Sequence, residues 1–186
     1  MNENTRITDS LSARFDRVRE ASDLIVIEGI LTVEWFDERG RKYHESQQHN
    51  MITTVGDNWY VARAAALSGV PAAATGMKLG TGSTAPAKTG AGAALVTYLA
   101  GSNKAFDATF PSVAANVVTY KRTYAAGEAT SAGTNITECV IVFDTIATDA
   151  TSAAAATVSR ALFSSPAPKA AGDALVATWT HTFTGA

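Results

Sequence analysis

After residue 70 the chain leaves room for only one short helix, around AGAALVTYLAG at 91–101, among short apolar segments separated by Gly, Pro, Ser and Thr. A parallel α/β sheet needs a crossover helix between successive strands, so this shortage argues against one. Strands are instead expected near residues 77–80, 104–110, 117–125, 136–145, 157–164 and 174–184. The last has the clearest alternation: Leu175, Ala177, Trp179, His181 and Phe183 fall on one face, and Val176, Thr178, Thr180 and Thr182 on the other. That pattern predicts antiparallel sheets, each buried on one side, packed face to face as a sandwich.

The segment before residue 70 adds three pieces. Leu11, Phe15 and Val18 recur at helical spacing among charges, which predicts a short N-terminal helix with a narrow apolar stripe. Such a helix is marginal alone; it docks on its own chain, frays, or serves as an arm that orders on a neighbouring subunit. From Ile25 the odd positions Ile27, Leu31, Val33 and Trp35 are apolar, and Asp37-Glu38-Arg39-Gly40 turns the chain into RKYHES, a polar return strand with Tyr43 as its main apolar contact. A strand that polar suits a sheet edge or a polar partner. In MITTVGDNWYVARAAALSG the period changes, and Trp59, Tyr60, Arg63 and Leu67 predict a helix of about three turns whose aromatic residues anchor it on a sheet. The expected fold is therefore mainly β: an antiparallel β-sandwich over residues 50–186 with one substantial helix, a hairpin at 23–49 and an arm at 1–22.

Charge divides the chain in the same way. Residues 1–60 carry 11 of its 17 Asp/Glu and 7 of its 15 Lys/Arg, and the remainder is dominated by Ala, Thr, Ser and Gly. A net charge of -2 supplies no basic field for nucleic acid or anionic lipid, so neither is an expected partner. The longest apolar stretch, LIVIEGILTVEWF, is interrupted by Glu28 and is too short to span a bilayer, and MNENTRITDS lacks the layout of a signal peptide. Hydrophobic residues make up 46% of the chain, but many are alanine, so burial per residue is modest and contacts between copies are an expected source of stability.

One stretch invites a catalytic reading. GSTAPAKT at 82–89 has the frame of a phosphate-binding loop, and VIVFD at 140–144 resembles the strand and aspartate that hold its magnesium. A phosphate loop works through consecutive backbone N–H groups that glycine lets approach the phosphate closely. Here Ala87 replaces the glycine before Lys88, Pro86 removes one N–H, and Gly90-Ala91-Gly92 is a poor helix start. Nucleotide binding through Lys88 and Asp144 is therefore disfavoured. His44 and His49 lie near Glu45 without a third ligand at metal spacing, and His181 reads as a hydrogen-bonded core or interface residue. The single cysteine, Cys139, sits in an apolar run and reads as a small buried hydrophobe. No catalytic, cofactor or metal residues are expected.

An ordered series of motifs points elsewhere. Asn50-Met51-Ile52 with Gly56 precedes a helix; Leu79-Gly80-Thr81-Gly82-Ser83-Thr84-Ala85-Pro86 follows, then Ser159-Arg160-Ala161-Leu162-Phe163, then Lys169 with Asp173, Leu175 and Trp179. Across residues 50–184 this series resembles small virion structural proteins of tailed bacteriophages. Where those proteins often have glutamate, an apolar residue and glycine, this chain has Glu138-Cys139-Val140. The resemblance implies a β-rich, non-enzymatic building block of the neck, tail, fibre attachment or capsid surface. It also implies assembly in the host cytoplasm, a place in the virion, and other virion proteins and further copies of the chain as partners. Leu11, Phe15, Val18 and Tyr43 are the expected subunit contacts. A second reading is a carbohydrate-binding or adhesin-like domain, with Trp35, Tyr43 and Tyr124 as an exposed aromatic platform for a host glycan.

Overall fold

A computed structural model describes residues 25–65 and 68–185. The stripe Leu11, Phe15 and Val18, and Leu67 of the expected helix, lie outside the described residues. The remainder forms two antiparallel five-stranded sheets and one α-helix, a β-sandwich as the alternation predicts. In the first sheet the order is β2 (Lys42–His49), β1 (Ile25–Phe36), β10 (Ala174–Gly185), β7 (Val117–Tyr124), β6 (Ser112–Ala114). In the second it is β3 (Met51–Ile52), β9 (Thr157–Ala167), β8 (Ile136–Val142), β4 (Gly76–Gly80), β5 (Lys104–Ala105). The strand expected at 104–110 shrinks to the two residues of β5, and the helix around 91–101 to a single 3-10 turn at Gly90–Ala93.

The two long alternating segments pair with each other. β1 and β10 run antiparallel over their whole length, with Leu31 opposite Trp179, Val33 opposite Ala177 and Trp35 opposite Leu175. Their inner faces, with Tyr120 and Tyr124 of β7, pack against Met77, Leu79, Cys139, Ile141, Ala161 and Phe163 of the second sheet. The hairpin is thus integral to the sandwich: instead of standing off as an extension, it supplies two of the five strands of the first sheet.

The polar strand β2 finds its polar partner within the chain. His44 Nε2 lies 2.8 Å from the Ser165 carbonyl, Ser46 Oγ accepts the Ser165 N–H at 3.0 Å, and Gln48 Oε1 accepts the Ser164 N–H at 3.1 Å. Side chains thereby replace the backbone ladder along the open edge of β9, joining the sheets at one corner. Alternation then sends Tyr43 outward, so it is half-exposed and does not supply the strand's apolar contact. Its hydroxyl donates to Asp173 at 2.7 Å, and partial burial together with that carboxylate pushes its pKa up to about 12.

Helix α1 (Thr54–Ala64) follows β3 directly. The Thr53 side chain caps it by accepting the Gly56 N–H at 2.9 Å, and Asp57 places a negative charge in its first turn. Trp59 is buried as expected, with its indole N–H donating to the Ala72 carbonyl at 2.8 Å.

The second sheet departs from one-sided burial. All five residues of β4 are buried, and so is the continuous run Glu138–Val142 of β8. Its outer face lies beneath the loops at 81–103 and 144–152, where Leu95 packs with Val140 and Val142 against Tyr98 and Ile146.

Candidate functional site

The start of the GSTAPAKT loop and the segment at 96–97 meet on an anion that belongs to the chain. Glu138 on the outer face of β8 is fully buried, and its Oε1 accepts the backbone N–H groups of Gly82, Val96 and Thr97 at 3.0, 3.1 and 3.0 Å. Arg160 of β9, also fully buried, donates from Nε and Nη2 to Glu138 Oε2 at 3.0 and 2.6 Å. The rest of the guanidinium holds loop carbonyls, Thr84 at 2.8 Å and Gly92 at 3.2 Å. Each polar group of the ion pair is therefore used to fasten the loop to the sheet. Glycine is required at 80 and 82 because a Cβ on either would sit 2.6 Å from Glu138 Oε1.

Lys88 and Asp144 are not brought together. Lys88 Nζ contacts Asp57 of α1 at 2.7 Å, and the Lys88 carbonyl accepts the Thr54 N–H at 2.9 Å, so this end of the loop docks on the helix N-terminus. Asp144 instead pairs at 3.2 Å with the buried Lys78, whose ammonium also donates to the carbonyls of Ala150 and Thr151 at 3.1 and 3.2 Å. Within GSTAPAKT the Gly82 N–H is committed to Glu138 and the Ala87 N–H to the Gly92 carbonyl at 2.9 Å, and Pro86 has none to offer.

A second buried polar cluster lies between the first sheet and α1. His181 is fully buried on the inner face of β10, with Nδ1 bonded to the Tyr60 hydroxyl and Nε2 3.3 Å from Asn50 Nδ2. Tyr60 continues to the Tyr120 hydroxyl at 2.9 Å, and Asn50 to Ser159 Oγ. With Asn50 Nδ2 donating to Nε2, the imidazole keeps its proton on Nδ1 and gives it to the Tyr60 oxygen. Burial pushes the His181 pKa down to about 3, so the ring is neutral near pH 7, and burial raises the Tyr60 hydroxyl far above its ordinary value. The network leaves Asn50 Oδ1 buried without a partner, and neither His181 nor Tyr60 is poised to exchange protons near neutrality.

The other residues singled out in the sequence are dispersed. Cys139 is fully buried and its thiol is raised well above its usual pKa by burial, leaving it in the unreactive form. His49 lies 3.6 Å from Glu28 on the surface, apart from His44. Among the described residues no group of three or more His, Cys, Asp or Glu is placed to hold a metal. Trp35 and Tyr124 are fully buried, so they form no exposed platform with Tyr43.

Among the described residues, two apolar troughs open on the surface beside α1. The larger, of about 640 Å³, is lined by Val26, Ile52, Tyr60, Val61, Ala64 and Phe183, with the Asp57–Lys88 pair at its rim. The smaller, of about 370 Å³, is walled by Trp59, Arg63, Val113 and Tyr120 and shares Tyr60, Ala64 and Phe183 with the first. Val26, Val61 and Val113 are 48%, 69% and 72% exposed, large values for valines bordering one helix. No single motif announces this surface, because its residues come from β1, β3, α1, β6, β7 and β10.

Compared with known proteins, the chain matches no family model, no curated sequence and no solved structure.

Proposed function

We propose that the chain is a non-enzymatic assembly module, a subunit that associates with copies of itself and with other structural proteins through the apolar face along α1. The carrying observation is the gathering of exposed Val26, Val61 and Val113 on the two troughs that flank the helix. Apolar patches of this kind lose water when a partner covers them, and a partner that buries them gains stability in proportion to the area removed from solvent. The three-residue edge β6, each of whose residues is exposed, lies beside the smaller trough and offers unpaired backbone groups for a neighbouring strand.

The ordered motif series across residues 50–184 directs the reading to a symmetric part of a tailed-phage particle, assembled in the host cytoplasm and carried in the virion. Residues in that series serve the architecture: Gly80 and Gly82 make room for Glu138, and Arg160 closes the loop over it. Light scattering across a concentration series tests the assembly reading. A defined oligomer is expected, reduced to monomer by Val61→Asp with Val113→Asp; a strict monomer throughout overturns it. Electron microscopy of particles labelled on this chain tests the virion reading, and label absent from the particles overturns that part alone.

A further inference from the structure

We propose that the larger trough is the seat of this chain's own N-terminal segment, with Leu11, Phe15 and Val18 entering its apolar floor. The inference narrows the assembly reading: with the larger trough filled by the chain's own segment, the smaller trough with Val113 and the edge strand β6 remain for a partner.

Continuity is the first support. The described chain begins at Ile25, and its next two residues, Val26 and Ile27, already wall the trough, so the point at which the preceding segment is tethered lies beside it. Length agrees with a fold-back. Along a helix, Leu11 to Val18 covers about 10 Å, and the link 19–24 can extend to roughly 20 Å, enough to bring the stripe over the opening beside which the chain departs.

Charge placement is the second support. At about 100° per residue, Arg14 and Arg19 border the stripe on either side, whereas Asp9, Asp16 and Glu20 fall on the opposite face. The trough rim carries Asp57, held by Lys88 in a solvent-exposed pair that another cation can replace. An arginine bordering the stripe therefore meets a carboxylate when the apolar side chains enter, and the acids remain in water. The short tether supplies a high effective concentration, so the contact forms within one chain before a second copy competes for it.

Disulfide trapping in the full chain tests this. Phe15→Cys is combined with Val61→Cys, an exposed position on the trough wall, while native Cys139 stays buried and unreactive. Oxidised glutathione is expected to close an intrachain bond at least tenfold faster than in the control pair Asp16→Cys with Val61→Cys. Equal rates, or no intrachain product from either pair, overturn the proposal. A product of doubled mass from the Phe15 pair alone also overturns the own-chain seat, placing the segment in a neighbour's trough and supporting assembly. As a second readout, Phe15→Asp in the full chain is expected to accelerate hydrogen exchange at Tyr60, Val61 and Ala64 at least tenfold; unchanged protection counts against the seat.

Discussion

The first sheet shows water a polar outer face, with Thr32 and Gln47 bonded across strands and Lys42 bridging Glu34 and Glu45, whereas the second has its outer face roofed by loops. Their buried polar groups differ accordingly. In the first sheet the inner face holds a neutral network around His181; in the second the outer face holds charges, Lys78, Glu138 and Arg160, each fastening a loop. A neutral network needs a few hydrogen bonds and tolerates the loss of one. A buried charge must be surrounded by partners, and those partners can be a loop's own backbone, which gives an otherwise irregular segment a fixed position.

Substitution at Glu138 is the sharpest test of this contrast. Glu138→Ala leaves Arg160 without a counter-charge and the N–H groups of Gly82, Val96 and Thr97 without their acceptor, and is expected to cost about 3–5 kcal/mol in a denaturant titration. A loss below about 1 kcal/mol would show that the charged roof does not hold the sheet.

Acid should act next, through the neutral network. His181 has its folded pKa depressed to about 3, so its contribution is fully present above the unfolded value of 6.5 and is lost as pH falls from 6.5 towards 3. At pH 5 the unfolded chain binds a proton that the folded chain refuses, which lowers stability by about 2 kcal/mol. Comparing denaturant midpoints at pH 7 and pH 5 in the wild type and in His181→Leu isolates this contribution; identical slopes would contradict it.

Smaller again is Tyr60→Phe, which removes the hydroxyl between His181 Nδ1 and Tyr120 and should cost about 1–2 kcal/mol by thermal unfolding. The smallest effect is expected from Lys88→Ala. Its pair with Asp57 is half-exposed, so stability should change by no more than about 0.5 kcal/mol. Titration calorimetry with ATP should give no binding heat for either form, and a heat abolished by Lys88→Ala would restore the phosphate-loop reading.

The same contrast explains what could be read in advance. Strict alternation in β10 revealed both its strand and its buried face, because a sheet wet on one side demands period two. Its partner β1 carried the same signal through Leu31, Val33 and Trp35, although the pairing of the two segments is set by contacts across about 150 residues that no local pattern encodes. In β8 the continuous apolar run identified a strand but not its roof. The troughs were hidden for a related reason: Val26, Val61 and Val113 are unremarkable valines until β1, α1 and β6 converge.

The sequence by itself determined the class, an antiparallel sandwich with one main helix, because side-chain period and turn chemistry act over a few residues. Only the tertiary structure decided what GSTAPAKT is. Its departures from a phosphate loop could be seen locally, but the carboxylate that takes its leading N–H, at Gly82, comes from residue 138, brought there by strand register. Long-range pairing places that charge, and the cost of burying it dictates that the loop must close around it.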